Sequence, residues 1–150
     1  MIGGDGDRPA FERGSGFLLA RLGSLASRSW TTFLAAHELT QSQYSVLVVL
    51  RDQGSMGQQR LAHLVAVDAR NIVPVLDALA ARGLVRRQPD PADGRRRTVA
   101  LTDGGSALAD SLAAGAASSQ DDFLAALDDR DREHFNTLLR RLYDAHVHGA

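Results

Sequence analysis

Six arginines fall between positions 82 and 97, at Arg82, Arg86, Arg87, Arg95, Arg96 and Arg97, against two acids, Asp90 and Asp93. This local positive excess sits in a chain whose formal net charge is only -1, and whose acids gather elsewhere, from Asp121 to Glu133. A guanidinium is a planar fork of donors that fits a phosphate or a guanine edge better than an ammonium does. The chemistry open to this stretch is therefore recognition of a polyanion, and the position of the charges carries that inference rather than their sum. All 17 basic residues are arginine, which says more about genome composition than about mechanism.

Other chemistries find little material. Cysteine is absent, which excludes disulfides, thiolate zinc sites, cysteine nucleophiles and thiol-based redox sensing. The histidines are His37, His63, His134, His146 and His148. The last two stand two apart near a helix end, not at the three- or four-residue step that brings ligands to one helical face, so no metal site is expected. A glycine-rich phosphate loop, a Gly-x-Ser-x-Gly elbow and a His-Glu-x-x-His pair are all missing, and Gly14-Ser15-Gly16 lies in a polar leader. No catalytic residues and no cofactor are assigned, and an enzyme is the weaker class.

The elements that must position the arginines follow from apolar spacing and caps. Leu18, Leu22, Leu25, Trp30, Phe33 and Leu34 recur at three- and four-residue steps, predicting an amphipathic helix from Phe17 to about His37. Thr40 and Gln43 fit a capping box, with Leu39 and Tyr44 placed for a hydrophobic staple. The second helix carries Tyr44, Leu47, Val48 and Leu50 and stops near Gly54. Ser55 and Gln58 repeat the capping pattern before a short helix with Leu61, Leu64 and Val65. Asp68 is the expected cap of a fourth helix whose inner face is Ile72, Val75, Leu76 and Leu79 and whose stop is Gly83. That cap would bury Pro74 inside the helix at a cost of about 3 kcal/mol; a cap at Asn71 would place it in the first turn and remove the cost.

Beyond Gly83 the period changes. Leu84 to Arg87 and Thr98 to Leu101 read as two short strands, and Pro89, Pro91 and Gly94 make the loop between them too long for a tight hairpin. Two strands around an arginine-rich loop form a wing. Thr102 or Asp103 caps a long alanine-rich helix through Leu108 and Leu112 towards Phe123 and Leu127, weakened at Gly115 and the serines, and Asp128 caps a last helix with Phe135, Leu138, Leu139 and Leu142 inward. The composition, 44% apolar and 23% charged, suits one ordinary globular domain. We expect residues 1–16 to be a flexible leader and 17–150 a single domain. The apolar terminal helices can pack on each other or on a second copy, and the sequence leaves both arrangements open. The leader lacks the apolar core of a signal peptide, and no run approaches the roughly 18 apolar residues of a membrane span, so a cytoplasmic protein with no membrane partner is expected.

The stretch Asp93-Gly94-Arg95-Arg96-Arg97-Thr98-Val99-Ala100-Leu101-Thr102 resembles the wing signature of the MarR family. Leu39 to Leu47 is similar to that family's second-helix opening. Leu79, Gly83, Leu84, Val85 and Arg87, followed by Pro89-Asp90-Pro91, are similar to its join between recognition helix and wing. The resemblance spans about residues 17 to 147. It implies a mainly α (α+β) fold, a winged helix-turn-helix with a two-stranded wing, a DNA-binding lobe over 40–101, and dimerisation helices over 17–37 and 103–148.

It further implies a homodimeric regulator of transcription, by usual family mode a repressor, on a pseudo-palindromic double-stranded DNA operator. The groove-facing side of the recognition helix would hold Asp68, Ala69, Arg70, Asn71, Val73 and Pro74. Arginine can fork onto guanine and asparagine can pair with adenine, which singles out Arg70 and Asn71; phosphate contact and capping are their alternative roles. Arg95 and Arg96 would reach the minor groove from the wing tip, with Arg86, Arg87 and Arg97 along the same wing, and Asp93 would pair with a wing arginine and fix the loop. Family members commonly respond to a small anionic or aromatic effector between the dimerisation helices and the DNA-binding lobe. Trp30, His37 and Tyr44 are the residues placed nearest that cleft, with ordinary core packing as the alternative. A winged helix that contacts protein or RNA shares this element order, and salt-dependent preference for a duplex separates the two.

Overall fold

A computed structural model describes residues 5–68 and 70–149. Their order is α1 (Ser15–Ala36), α2 (Gln41–Gln53), β1 (Met56–Gly57), α3 (Gln58–Leu64), α4 (Ile72–Ala81), β2 (Val85–Pro89), β3 (Arg97–Leu101), α5 (Asp103–Phe123) and α6 (Asp129–Val147). The chain divides into two compact units at residues 114 and 115, with α5 beginning in the first and ending in the second.

The first unit holds the buried core. Val46, Leu47 and Leu50 of α2, Leu61 of α3, and Ile72, Leu76 and Leu79 of α4 gather with Val85 and Val99 of the sheet and Ala109 and Leu112 of α5. Most of these are apolar positions expected from helical and strand periodicity; Val46 and Ala109 are additions, fully enclosed like Leu112, whereas the expected Val48 is only half-buried and Leu64 of α3 is exposed. Only Leu34 of α1 is buried. The expected single stripe of that helix splits: Trp30 and Phe33 pack against the core, whereas Phe17, Leu18, Leu22 and Leu25 stay exposed. Within the predicted leader, residues 5–7 and 10–13 form 3-10 turns, and Phe11 meets Phe17 edge-on at 5.3 Å between centroids.

Local side-chain capping sets the starts of α2, α5 and α6. Thr40 accepts from the Gln43 amide at 3.2 Å while the Gln43 side chain accepts from the Thr40 amide at 3.0 Å, completing the predicted box. The Thr102 hydroxyl accepts from the Gly105 amide at 3.0 Å and itself donates to the Gly83 carbonyl at 2.6 Å, tying the start of α5 to the end of the α4 segment. In the second unit Asp128 accepts from the Asp131 amide at 2.8 Å. There α6 buries no residue, and Leu138, Leu142 and Tyr143 are exposed.

Two expected caps are corrected. Ser55 and Gln58 do not form a capping box: the residue before α3 is Gly57, with no side-chain cap, because Met56 and Gly57 pair instead with Val99 and Thr98. That pairing adds a strand beside the predicted two-stranded wing, giving the antiparallel order β1-β3-β2. Asp68 does not cap α4. Its carboxylate accepts from the Arg70 amide at 2.8 Å and its carbonyl from the Asn71 and Ile72 amides, a local turn, and Asn71 takes the cap position. Pro74 therefore lies in the first helical turn, where an amide donor is not missed.

Candidate nucleic-acid interface

The helix-turn-helix is made by α3 and α4. After Leu64 the chain reverses through Ala66, which holds the left-handed φ of 56° although it is not glycine, a conformation that needs support from its surroundings. The Val67 amide supplies part of it by donating to Ala62 at 3.0 Å. Ala69, expected on the groove side, lies outside the described residues. Arg70 follows with its side chain 92% exposed and its Nε 3.4 Å from the Asp68 carboxylate. Asn71 sits at the cap position in a helical conformation (φ -83°, ψ -17°) and makes no side-chain cap bond. Its amide is thus not consumed by capping, the alternative role that sequence left open.

The opposite side of α4 is fully enclosed, with Ile72, Leu76 and Leu79 in the core. The outward side therefore carries Arg70, Asn71, Val73, Pro74 and Asp77, all exposed. Asp77 would oppose a polyanion, but Arg87 of β2 reaches it with an Nη2 to Oδ1 distance of 2.6 Å. This ion pair was not legible in the sequence, since its partners belong to different elements. It gives Arg87 a partner inside the lobe and screens the acid on α4.

The six arginines of the basic stretch are thus not equivalent. Arg82 donates to the carbonyls of Glu38 and His37 at 2.9 and 3.3 Å, clamping the turn between α1 and α2. Arg96 lies 3.8 Å from the Asp93 carboxylate, a loose contact, while Asp93 accepts from the Arg95 amide at 3.1 Å and its carbonyl from the Arg96 amide at 3.0 Å. Asp93 thereby shapes the tip. Asp90 closes the other side, its amide donating to the Arg96 carbonyl at 2.9 Å and its carboxylate accepting from Ala92 at 2.8 Å. Arg86, Arg95 and Arg97 are exposed and, among the described residues, form no ion pair.

The three residues expected near an effector cleft form part of one aromatic cluster at the end of α1. Trp30 meets Tyr44 edge-on at 4.7 Å and stacks with Phe33 at 5.3 Å, and Phe33 meets His37 at 5.0 Å. Phe33 joins His37 to the other two and is not among the residues expected from sequence, although positions 30, 33 and 37 are spaced for one helical face. Trp30 Nε1 donates to Gln41 Oε1, and Gln41 Nε2 donates to Ser45 Oγ at 3.1 Å. Burial, and then the charge of Asp52, raise the Tyr44 phenol above its usual pKa, so at neutral pH it presents a hydroxyl donor. Among the described residues, no group of three or more metal-ligating side chains converges, and no helix is long and apolar enough to cross a membrane.

Comparison with known proteins gives a consistent assignment. The sequence pattern described as the MarR family matches residues 39–96. The transcriptional repressor NicR of Pseudomonas putida is 35% identical over 108 residues, covering 72% of this chain and 68% of the relative. Among solved structures, the PcaV transcriptional regulator of Streptomyces coelicolor superposes with a TM-score of 0.71 at 32% identity, covering 88% of this chain and 96% of its own. BpsR of Bordetella bronchiseptica, described with regulation of its DNA binding by 6-hydroxynicotinic acid, gives 0.72 at 30% identity, covering 92% and 99%.

Proposed function

Because the chain belongs to the MarR family of transcriptional regulators, we propose that it is a repressor that binds a pseudo-palindromic duplex operator as a homodimer and is released by a small aromatic acid. The observation that carries the DNA reading is the outward side of α4, where Arg70 and Asn71 are exposed beside an acid already screened by the wing. Those two side chains can read guanine and adenine edges in the major groove. Arg95 and Arg96, held by the Asp93 turn, and Arg97 at the start of β3 then approach the backbone or the adjacent minor groove. Arg86 and Arg87 act at the wing's root, Arg87 mainly through Asp77.

Dimerisation is supported by the apolar side chains left uncovered in each unit: Phe17, Leu18 and Leu22 on α1, and Leu138 and Leu142 on α6. A two-fold symmetric contact between such faces is self-complementary and presents two copies of α4 to two half-sites. Phe135 and Leu139 of α6 are half-buried and belong to the same proposed interface.

The effector reading rests on the cluster of Trp30, Phe33, His37 and Tyr44 together with the ligand named for BpsR. Aromatic edges and a neutral phenol suit a planar ring bearing polar substituents. The deciding experiment is selection of bound duplexes from a random pool by the full chain. A pseudo-palindrome whose affinity exceeds that for random duplex, with a steep salt dependence, is expected; equal binding to every duplex overturns the reading. Addition of 6-hydroxynicotinic acid to the selected complex then tests release, and an unchanged affinity removes that compound as effector.

A further inference from the structure

The polar residues on α4 account for only part of its outward face. Val73 is 38% exposed, one position after the fully enclosed Ile72, and Pro74 beside it is exposed as well. Pro74 has a local reason, since its ring suits the first turn of a helix. Val73 has none in the lobe: it faces away from the core, and a β-branched residue is a poorer helix former than alanine at such a position. We propose that Val73, with the Pro74 ring beside it, packs against the 5-methyl group of one thymine in each operator half-site and so fixes the base at that position; this rests on the reading of α4 as the groove helix.

The chemistry selects the partner. Valine has no donor or acceptor and cannot read the polar edges that any base pair displays in the major groove. The apolar group presented there by standard base pairs is the thymine methyl. Arg70 in the turn before α4 and Asn71 at its cap are exposed at the same N-terminal end of the helix as Val73 and Pro74. Asp77 follows Val73 by four positions, on the same face, and would keep phosphates and base acceptors away if it were unpaired. Arg87 at 2.6 Å screens it. The apolar patch is thus flanked by donors on one side and by a neutralised acid on the other.

The test uses the full chain and the duplex selected from a random pool. Each thymine is replaced singly by deoxyuridine, which keeps every hydrogen-bonding group and removes only the methyl. One thymine per half-site is expected to show an affinity loss of about fourfold, the worth of one buried methyl-sized group, and replacement in both half-sites a loss of about fifteenfold. Val73→Ala is expected to lose the preference for thymine over deoxyuridine, the ratio of the two affinities falling from about fourfold to near one. Val73→Thr keeps one methyl and should retain part of the preference. Equal affinity for thymine and deoxyuridine at every position overturns the proposal, as does a Val73→Ala protein that keeps the full preference. A pool that yields no preferred sequence fails differently: it removes the regulator reading itself and this inference with it.

Discussion

At the scale of single residues, the basic stretch separates into arginines that shape the lobe and arginines whose side chains stay exposed. Arg95 is in the second group, with an exposed side chain on a tip shaped by Asp93. Arg95→Ala should therefore leave unfolding stability within about 0.5 kcal/mol. It should also lower the log-log salt slope of duplex binding by about 0.9 per lost phosphate contact, and about twice that in a dimer with two wings. Titration at several salt concentrations checks both numbers, and an unchanged slope would show that the tip does not touch DNA. Arg87 belongs to the first group. Its removal leaves the Asp77 carboxylate unscreened on the outward side of α4, so Arg87→Ala should weaken duplex binding by roughly tenfold, about 1.4 kcal/mol. Adding Asp77→Asn should restore much of that loss, and a double-mutant cycle with no coupling would show that Arg87 acts on DNA independently.

At the scale of elements, the join of wing and α5 is fixed by a close approach. A Cβ built on Gly105 would stand 1.9 Å from the Leu84 carbonyl oxygen, and because that atom is backbone no rotamer change relieves it. Gly105→Ala should destabilise the fold by about 1–3 kcal/mol or more through displacement of the α5 start from β2, measured by urea unfolding. The opposite outcome is expected at Pro74. Since α4 starts at Ile72 and the proline occupies its first turn, Pro74→Ala should change stability by less than about 1 kcal/mol, whereas proline at Ala78 should cost about 3 kcal/mol. A large gain in stability from Pro74→Ala would place the helix start earlier than Ile72.

At the scale of the whole molecule, the proposed dimer rests on the exposed apolar side chains of α1 and of α6. Burying Leu138 and Leu142 against a second copy makes a charge there costly, so Leu142→Glu should lower the light-scattering mass from two subunits to one at micromolar concentration. Duplex affinity should fall with it, because a monomer engages one half-site at a time. A wild-type mass of one subunit would contradict the dimer directly.

Much of this fold is legible in the sequence. Thr40 with Gln43, Thr102 with Gly105, and Asp128 with Asp131 are caps that close between residues three apart, so residue type and spacing mark them, whereas the same spacing at Ser55 and Gln58 yields to strand pairing at Met56 and Gly57. The period of Ile72, Leu76 and Leu79 likewise marked a buried face, and the sequence from Asp93 to Thr102 marked the wing. What tertiary structure decided were contacts between distant segments. A two-residue strand at Met56 and Gly57 has no period to read, and it exists because β3 offers an edge to pair with. Asp68 and Asn71 were both chemically able to cap α4, and the Asp68 carboxylate's bond to the Arg70 amide left the position to Asn71. The arginines were equivalent in type, and only the approach of Glu38, Asp77 and Asp93 divided them into anchors and free cations. Local hydrogen-bond closure is encoded by spacing along the chain, whereas ion pairs, strand partners and the close approach at Gly105 depend on where folding brings remote backbone together.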